Sequence, residues 1–292
     1  MAQSSRVLIV GGDSTLGAAL ARALTERRCD VTTTTRRPAA KPGQSFLDLA
    51  QPASLWTLPR ASDLAFICVS ETSTLRCEQE PAATARINVD AIVELTHRLT
   101  AAGTFVVCFS TNLVFDGTRP RPTADAPISP RCVYGRQKAR LEEAMLTDKA
   151  AVAMLRFTKV LGPDNRLFCG WLSALSRHEP ITPFRNAVMA PVSLSFAVRA
   201  AVAVGLGRVA GITQISASDD LTYAEAALYF ARQIGAPPAL VQPVPALVVT
   251  HQPQHTALAI TSRIGAEIFV PPSPLDAIAE LSRTKATAIS NP

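Results

Sequence analysis

The amino-terminal half of the chain alternates short, β-branched apolar runs with segments of helical pattern. The candidate strands are Arg6 to Val10, Asp30 to Thr35, Leu64 to Val69, Thr104 to Ser110 and Val152 to Phe157, and the candidate helices are Leu16 to Arg28, Ala82 to Ala101 and Gln137 to Leu146. Continuous apolar strands separated by helices are typical of a parallel sheet covered on both faces. The sequence therefore predicts an α/β fold built on a doubly wound parallel sheet.

A glycine-rich loop, Gly11-Gly12-Asp13-Ser14-Thr15-Leu16-Gly17, directly follows the first predicted strand. Glycines let the backbone turn sharply there, and the N–H groups at the start of the next helix bind anions such as a pyrophosphate. Ser14 stands where a regularly spaced glycine pattern would have its middle glycine, so an ordinary strand-to-helix turn is the alternative. Its place in the first strand-helix unit favours a dinucleotide site of the Rossmann type. The cofactor contacts predicted from this loop are Gly11, Asp13, Ser14, Thr15, Leu16 and Gly17.

The end of the second predicted strand bears on the choice of cofactor. It carries Arg36 and Arg37 and no acidic residue. Binders of NAD usually have Asp or Glu there for the ribose 2′-hydroxyl, whereas a guanidinium group suits a 2′-phosphate. We therefore expect NADP(H) to be preferred over NAD(H), with either arginine at the phosphate; two solvated arginines are the alternative. Further predicted cofactor contacts are Asp48 on the adenine side, and Val69 and Ser70 after the third strand.

A catalytic group is predicted from residues that follow the fourth strand. Tyr134 and Lys138 are four residues apart, so on a helix they share one face. A phenol has a reference pKa of about 10, and an adjacent ammonium is expected to lower that pKa toward neutrality. Lys138 can also bind the nicotinamide ribose, and a hydroxyl at the strand end, Thr111 or Ser110, would hold the substrate oxygen. Together these groups predict a site that reduces ketones or oxidises alcohols.

The second half of the chain is richer in proline and less regular, which indicates loops between its elements. A further strand is expected at Gly211 to Ser216, returning to the main sheet. We expect a dinucleotide-binding domain over 1–162 with a returning segment near 192–217. Residues 163–191 and 218–292 are expected to form a smaller, discontinuous substrate-binding lobe.

Composition narrows the function classes. The chain has 292 residues, 48% of them hydrophobic and 18% charged, which excludes wholesale disorder. Its net charge of +6 comes from dispersed arginines without interleaved aromatics, so no nucleic-acid partner is expected. The start of the chain does not match a signal peptide and no apolar run is long enough to span a membrane, so a cytoplasmic protein without membrane contact is expected. The six cysteines and four histidines show no metal-ligand spacing, and no metal is expected.

Several segments together resemble a known family. They are the loop Gly11 to Gly17, Cys77 to Pro81 with Ile87 to Asp90, Ser110 to Gly117, Val133 to Lys138, and Leu155 to Pro163. In these the chain resembles the extended short-chain dehydrogenase/reductases, and within them the dTDP-4-dehydrorhamnose reductase type of nucleotide-sugar reductase. The resemblance covers about the first 165 residues and implies a catalytic set of Thr111, Tyr134 and Lys138 with Ser110 beside them. It also implies that Asn88 supports the helix that carries the site.

The chain departs from this family's pattern in ways that bear on the reaction. Asn112 and Leu113 stand where these reductases usually have Asp and Tyr, and where related dehydratases have Asp and Glu. Dehydration is therefore disfavoured, and reduction is expected ahead of epimerisation. Ala18 and Ala19 stand where some reductases carry a metal-binding glutamate. The predicted substrate contacts are Asn112, Arg166, Phe168, Trp171, Arg185 and Arg263.

The leading interpretation is an NADPH-dependent reductase of a keto group on a nucleotide sugar of the 4-keto-6-deoxyhexose type, with the proton supplied by Tyr134. The sequence does not determine the oligomeric state, and a homodimer is compatible with it. The alternatives are a nucleotide-sugar epimerase, a reductase of a non-nucleotide ketone, and a cofactor-bound regulatory subunit without turnover. The last follows from the resemblance, because a methionine adenosyltransferase subunit belongs to the same reductase-like family.

Overall fold

A computed structural model describes residues 4–37, 43–59, 61–146, 151–246 and 253–290 of the chain. The strands found there are β1 (Arg6–Val10), β2 (Asp30–Thr35), β3 (Gln44–Phe46), β4 (Leu64–Ile67), β5 (Phe105–Thr111), β6 (Val152–Phe157), β7 (Val160–Leu161), β8 (Val188–Met189), β9 (Val192–Ser193), β10 (Gly211–Ile215), β11 (Leu221–Thr222), β12 (Arg263–Ile264) and β13 (Glu267–Ile268). The α-helices are α1 (Thr15–Glu26), α2 (Thr74–Gln79), α3 (Pro81–Ala85), α4 (Ile92–Ala101), α5 (Val133–Met145), α6 (Arg166–Ser176), α7 (Leu194–Leu206), α8 (Tyr223–Gln233) and α9 (Pro274–Ser290).

Seven parallel strands form the main sheet, in the order β10-β6-β5-β4-β1-β2-β3. The prediction of a doubly wound parallel sheet is therefore confirmed. The chain runs outward from β1 to β3 and then crosses to β4 on the other side of β1. Ligands of such sheets bind at this reversal, outside the carboxyl ends of the strands.

Apolar side chains fill both faces of the sheet because its central strands are buried on both sides. On one face β4 and β5 pack against α1 and α7, and on the other face against α4 and α5. β1 shows the pattern clearly, since four of its five residues are buried. The same continuous apolar runs were the basis on which the sequence predicts parallel strands.

A second hydrophobic core, which we call the C-terminal core, lies outside the main sheet. It joins α6, α8 and α9 through Phe168, Trp171, Phe230 and Ile278. Two short strand pairs, β7 with β9 and β8 with β11, lie outside the seven-stranded sheet. Among the described residues, no helix combines the length and apolar character that crossing a membrane requires.

Candidate active site

The glycine-rich loop is shaped by Ser14 as well as by its glycines. The Ser14 hydroxyl donates to Gly11 O over 2.8 Å and accepts from Gly17 N–H over 3.0 Å, so it caps α1. A Cβ on Gly17 would lie 2.3 Å from Gly11 O, which explains why a side chain is excluded there. Within the described chain, no protein acceptor takes the N–H groups of Thr15 and Leu16. The helix start therefore offers two donors to an anion.

Two connected cavities run along the carboxyl edge of the sheet from this loop. The glycine-loop cavity has a volume of about 510 Å³, and the middle cavity about 380 Å³. Both are lined by Ser14, Cys68, Val69 and Ser70. Further predicted cofactor contacts line one or both of the cavities: Gly11, Asp13, Thr15, Leu16, Arg36, Arg37, Asp48 and Lys138. Gly17 lines neither cavity. Its lack of a side chain lets α1 pack against the loop.

The far end of the glycine-loop cavity carries Arg36 and Arg37 together with Asp13 and Asp48. Asp13 accepts hydrogen bonds from the Thr35 hydroxyl and from the Gln44 amide, and its Oδ2 lies 3.9 Å from Arg37 Nε. Arg36 lines the same cavity and forms no ion pair with any residue that the structure describes. Of the two exposed arginines, Arg36 is thus the one with no carboxylate of the described residues at ion-pair distance. Asp48, nearby, accepts from Ala50 N–H over 3.0 Å.

The helix that carries Tyr134 begins earlier than the sequence indicates. We predicted a helix from Gln137, whereas α5 begins at Val133 because the Cys132 thiol accepts a hydrogen bond from Gly135 N–H over 3.3 Å. Cysteine is not among the favoured capping residues, so no local signal marked this start. Gly135 then lets α5 approach the turn after β5, since a Cβ there would lie 2.2 Å from Leu113 O.

Tyr134 and Lys138 lie on one buried face of α5, at 9% and 2% exposure. Lys138 Nζ donates to Phe109 O over 3.0 Å and lies 5.7 Å from the centroid of the Tyr134 ring. Burial raises the pKa of Tyr134 to about 12, an effect that a hydrogen bond with Ser70 partly offsets. Burial also lowers the pKa of Lys138 to about 8. The expected fall in the pKa of the phenol is therefore not found, because desolvation is the largest influence on that pKa.

Ser110 and Thr111, the two hydroxyls that the sequence left open, differ in their partners. Ser110 Oγ donates to Glu142 Oε1 over 2.5 Å, and Glu142 forms a buried two-bond ion pair with Arg156 at 2.9 and 2.7 Å. Thr111 Oγ1 has longer contacts of 3.3 Å, to Asn112 Oδ1 and from Leu113 N–H. The Ser110 proton is thus already held by a carboxylate, whereas Thr111 is freer to bind another group.

Asn88 is fully buried and joins the end of β4 to α5. Its Oδ1 accepts from Ser70 Oγ over 2.9 Å and from Glu71 N–H over 2.7 Å. Its Nδ2 donates to Gln137 Oε1 over 2.7 Å, one turn of helix from Tyr134. These bonds hold Ser70 beside the helix that carries Tyr134, which is the support implied by the resemblance.

A third cavity, which we call the lobe cavity, opens on the other side of Tyr134 and has a volume of about 590 Å³. Its wall includes Ser110, Thr111, Asn112, Leu113, Tyr134, Thr158, Lys159, Asn165, Met189, Tyr223 and Thr256. Tyr134 and Ser110 line both this cavity and the middle cavity. Tyr134 therefore stands at the boundary between the two spaces.

Most of the predicted substrate contacts lie elsewhere. Asn112 lines the lobe cavity, where its Nδ2 donates to Thr256 O over 3.2 Å. Phe168 and Trp171 pack against each other in the C-terminal core with ring centroids 4.8 Å apart, so they are core side chains. Three further predicted contacts are exposed arginines that are not in the cavity wall: Arg166, Arg185 and Arg263.

Much of the lobe-cavity wall was missed by the sequence analysis, including Thr158, Lys159 and Tyr223. Thr158 and Lys159 directly follow β6, and Tyr223 begins α8. The position after a parallel strand was a usable signal for the first two, because ligands bind at such strand ends. No local pattern marks Tyr223, since its place in the wall depends on how the second half of the chain folds back.

A search of sequence families gives a match over nearly the whole chain. The family described as "RmlD substrate binding domain" matches residues 5–278. The chain belongs to this family. Among the residues that the structure describes, this RmlD-family chain has no cluster of three His, Cys, Asp or Glu side chains arranged to hold a metal ion.

Curated relatives of this RmlD-family chain match only in part. Methionine adenosyltransferase 2 subunit beta from Bos taurus is 33% identical over 100 residues, which cover 34% of this chain and 30% of that protein. A probable dTDP-4,6-dihydroxy-2-methyloxan-3-one 4-ketoreductase from Streptomyces antibioticus is 31% identical over 172 residues, covering 56% of this chain and 54% of that protein. The alignments thus span about a third to a half of these relatives.

Solved structures match the fold across its whole length. A dTDP-4-dehydrorhamnose reductase from Bacillus anthracis, in complex with NADP, superposes with a TM-score of 0.84 at 16% identity and covers 97% of this chain and 99% of that chain. The protein MoeE5, in complex with UDP-glucose and NAD, has a TM-score of 0.81 at 20% identity, with coverage of 97% and 99%. At these identities the likeness establishes the Rossmann fold of this RmlD-family chain.

Proposed function

We propose that the protein is an NADPH-dependent reductase of a keto group on a nucleotide sugar, of the 4-keto-6-deoxyhexose type. The observation that carries the proposal is the position of Tyr134, which lines both the middle cavity and the lobe cavity. A proton donor at that boundary can reach a substrate on one side while a cofactor occupies the other. Membership of the RmlD family supports the same reaction class.

The described residues fit a dinucleotide. The two connected cavities along the strand ends have the length and glycine-loop cradle that a dinucleotide needs, and the N–H groups of Thr15 and Leu16 suit its pyrophosphate. Arg36 and Arg37 would hold the 2′-phosphate, which is the basis for proposing NADPH over NADH. Lys138 would hold the nicotinamide ribose. When bound, the nicotinamide cofactor supplies the hydride that reduces the carbonyl carbon.

The chain's own residues supply the proton and hold the carbonyl. With a pKa of about 12, the Tyr134 phenol is protonated near neutrality and can donate from Oη to the carbonyl oxygen as that oxygen gains negative charge. Thr111 Oγ1 would hold the same oxygen. Two neighbours would stabilise the tyrosinate that is left behind. They are the Lys138 ammonium, one turn further along α5, and the Ser70 hydroxyl, which hydrogen-bonds to the phenol.

The substrate is proposed to occupy the lobe cavity. A volume of about 590 Å³ is in the range of small-molecule sites. Asn112 from the turn after β5 and Met189 and Tyr223 from the second half of the chain meet in its wall. This supports residues 163–191 and 218–292 as a substrate-binding lobe.

The proposal is tested by replacing Tyr134 with Phe. We expect NADPH oxidation in the presence of a panel of 4-keto nucleotide sugars to fall by about 10²- to 10⁴-fold, the usual contribution of a positioned proton donor. The matched control is Tyr229→Phe, because Tyr229 lies in the C-terminal core and outside the three cavities. Full turnover by Tyr134→Phe on the true substrate would show that another group donates the proton.

A second candidate is a regulatory subunit that binds the cofactor without turnover. The observation that favours it is the partial similarity to methionine adenosyltransferase 2 subunit beta. Affinity purification from the native source, followed by NADPH oxidation assays across the same panel, separates the two candidates. Stable co-purification with a larger enzyme, together with no oxidation of NADPH by any substrate, would favour the subunit.

A further inference from the structure

A row of hydrogen bonds, which we call the Asp220 network, joins the end of β5 to the second half of the chain. Thr111 Oγ1 donates to Asn112 Oδ1 over 3.3 Å, and Asn112 Nδ2 donates to Thr256 O over 3.2 Å. A side-chain amide has one accepting end and one donating end, so the bond to Thr256 O turns Oδ1 toward Thr111. The backbone carbonyl of Thr256 therefore decides which atom of Asn112 faces the Thr111 hydroxyl.

Asp220, the last member of this network, holds the segment that carries that carbonyl. Its side chain is 13% exposed and directly precedes β11. Its carboxylate accepts from Thr256 N–H over 2.9 and 3.1 Å, from the Thr256 hydroxyl, and from Ala257 N–H over 3.1 Å. Hydrogen bonds to a carboxylate are stronger than those between neutral groups. One side chain thus fixes the backbone at Thr256 and Ala257.

The members of the network differ in their access to a ligand. Thr111, Asn112 and Thr256 line the lobe cavity, and Asp220 is not among the described residues of its wall. Both oxygens of the Asp220 carboxylate already accept hydrogen bonds from the protein. Asp220 can therefore act on a ligand in the cavity only through its neighbours. The bonds of Thr111 Oγ1 are long, at 3.3 Å, so this hydroxyl can exchange one of them for a bond to a ligand oxygen.

We propose that Asp220 is a positioning residue that sets the orientation of the Thr111 hydroxyl through Thr256 and Asn112. This deepens the proposed function and rests on Thr111 holding the carbonyl oxygen of the substrate. Asp220 itself exchanges no proton with the substrate. It keeps the hydroxyl where the carbonyl is reduced, so the geometry at the end of β5 depends on a carboxylate from the second half of the chain.

Asp220→Ala in the full-length protein tests this role, because it removes all four hydrogen bonds at once. We expect kcat for NADPH oxidation with a 4-keto nucleotide sugar to fall by about 10- to 100-fold, since small misplacements of reacting groups are costly. The Kd for NADPH should be unchanged, because Asp220 does not line the described walls of the cofactor cavities. The control is Glu267→Ala, which removes an exposed carboxylate from β13 and should keep full kcat.

Milder variants keep the test decisive if Asp220→Ala does not fold. Asp220→Asn retains one oxygen that can accept from the N–H groups of Thr256 and Ala257, so it should recover most of the lost kcat. Thr256→Val removes only the hydroxyl bond to Asp220 and should give a smaller fall than Asp220→Ala. A kcat equal to that of the unmodified protein in both Asp220→Ala and Thr256→Val would overturn the positioning role.

The side-chain amide of Asn112 reports the same link without turnover. The chain has five asparagines, so ¹⁵N-asparagine labelling gives five side-chain amide signals, and Asn112→Leu identifies the one that belongs to Asn112. Because Asp220 fixes the acceptor of this amide, we expect Asp220→Asn and Thr256→Val to speed its hydrogen exchange by about tenfold or less, and Asp220→Ala by more. Glu267→Ala should leave the exchange rate unchanged.

The two measurements separate this proposal from the proposed function. In the double variant Asn112→Leu with Asp220→Ala, kcat should be no lower than in Asn112→Leu alone, because the effect of Asp220 passes through Asn112. Additive losses of kcat, or an unchanged exchange rate of the Asn112 amide in Asp220→Ala, would overturn the proposal. If the exchange rate changes as expected while the unmodified protein oxidises no NADPH with any substrate, the reductase is refuted and the link from Asp220 to Asn112 stands.

Discussion

At the scale of single residues, burial sets the protonation states of Tyr134 and Lys138, the two groups at the centre of the proposed site. Tyr134 keeps its proton because a phenolate is poorly solvated there, and Lys138 loses its proton more readily for the same reason. A neutral phenol beside an ammonium is the arrangement that proton donation to a carbonyl needs. The protonation states of the buried pair therefore suit the proposed reduction near neutral pH.

The lowered pKa of Lys138 predicts a pH effect on cofactor binding. Since that pKa is about 8, the ammonium is present below pH 8 and is lost as pH rises through this value. The affinity for NADPH should then fall above pH 8, by at most about tenfold for each further pH unit. Fluorescence titration with NADPH from pH 6.5 to 9.5 measures this. Lys138→Arg, which keeps its charge at these pH values, should show a flatter profile, and identical profiles would contradict the assignment.

Arg36 predicts the discrimination between the two nicotinamide cofactors. Because no described carboxylate neutralises it, Arg36→Ala should weaken NADPH binding by about tenfold, allowing for its exposure to solvent, and leave NADH binding nearly unchanged. Arg37→Ala is the matched comparison and should have a smaller effect, since Arg37 lies near Asp13. Dissociation constants for both cofactors are the measurement. Equal losses for NADPH and NADH would exclude a role at the 2′-phosphate.

At the scale of elements, the distance between α5 and the turn after β5 depends on Gly135. The backbone at Gly135 lies against Leu113 O, two residues after Thr111, and a methyl group does not fit between them. The helix that carries Tyr134 can therefore approach the strand end that carries Thr111. Close packing at this point brings the two predicted catalytic side chains to one cavity.

Replacing Gly135 with Ala should move Tyr134 away from Thr111. We expect kcat for NADPH oxidation to fall by about 10- to 100-fold, because small misplacements of reacting groups are costly. Gly170→Ala on α6 is the matched control, since a Cβ there has no neighbour within 4 Å. That control should keep full activity and gain up to about 1 kcal/mol in free energy of unfolding. A fully active Gly135→Ala enzyme would mean that the α5 contact does not position the phenol.

The sequence predicts those elements that have strong local patterns. β1 and β2 begin and end at the predicted residues, and β5 is displaced by one. β3 was missed because three residues, two of them polar, are too short to show a period. Phe168 and Trp171 were assigned to the substrate because an aromatic side chain in a sequence does not reveal whether it faces a core or a cavity. Only the packing of the C-terminal core decides between them.

At the scale of the whole molecule, the main sheet is completed by a part of the chain that is distant in sequence. β10 pairs with β6 at one edge, and α7 covers a face of the sheet with nine of its 13 residues buried. Phe66 of β4 and Val107 of β5 belong to the cluster that α7 closes. The first 162 residues therefore lack the helix that shields their own core from water.

This arrangement predicts which parts of the chain fold together. A fragment ending at Gly162 should expose the face that α7 covers and unfold without a cooperative transition, because a large apolar surface stays in contact with water. Joining 1–162 to 192–217 through a flexible linker of about ten residues should restore a cooperative transition, since β7 and β9 lie side by side. Thermal denaturation followed by near-ultraviolet circular dichroism, with the full chain as control, measures both. If the shorter fragment unfolds as cooperatively as the joined one, α7 and β10 are not part of the folding unit that carries the glycine-rich loop.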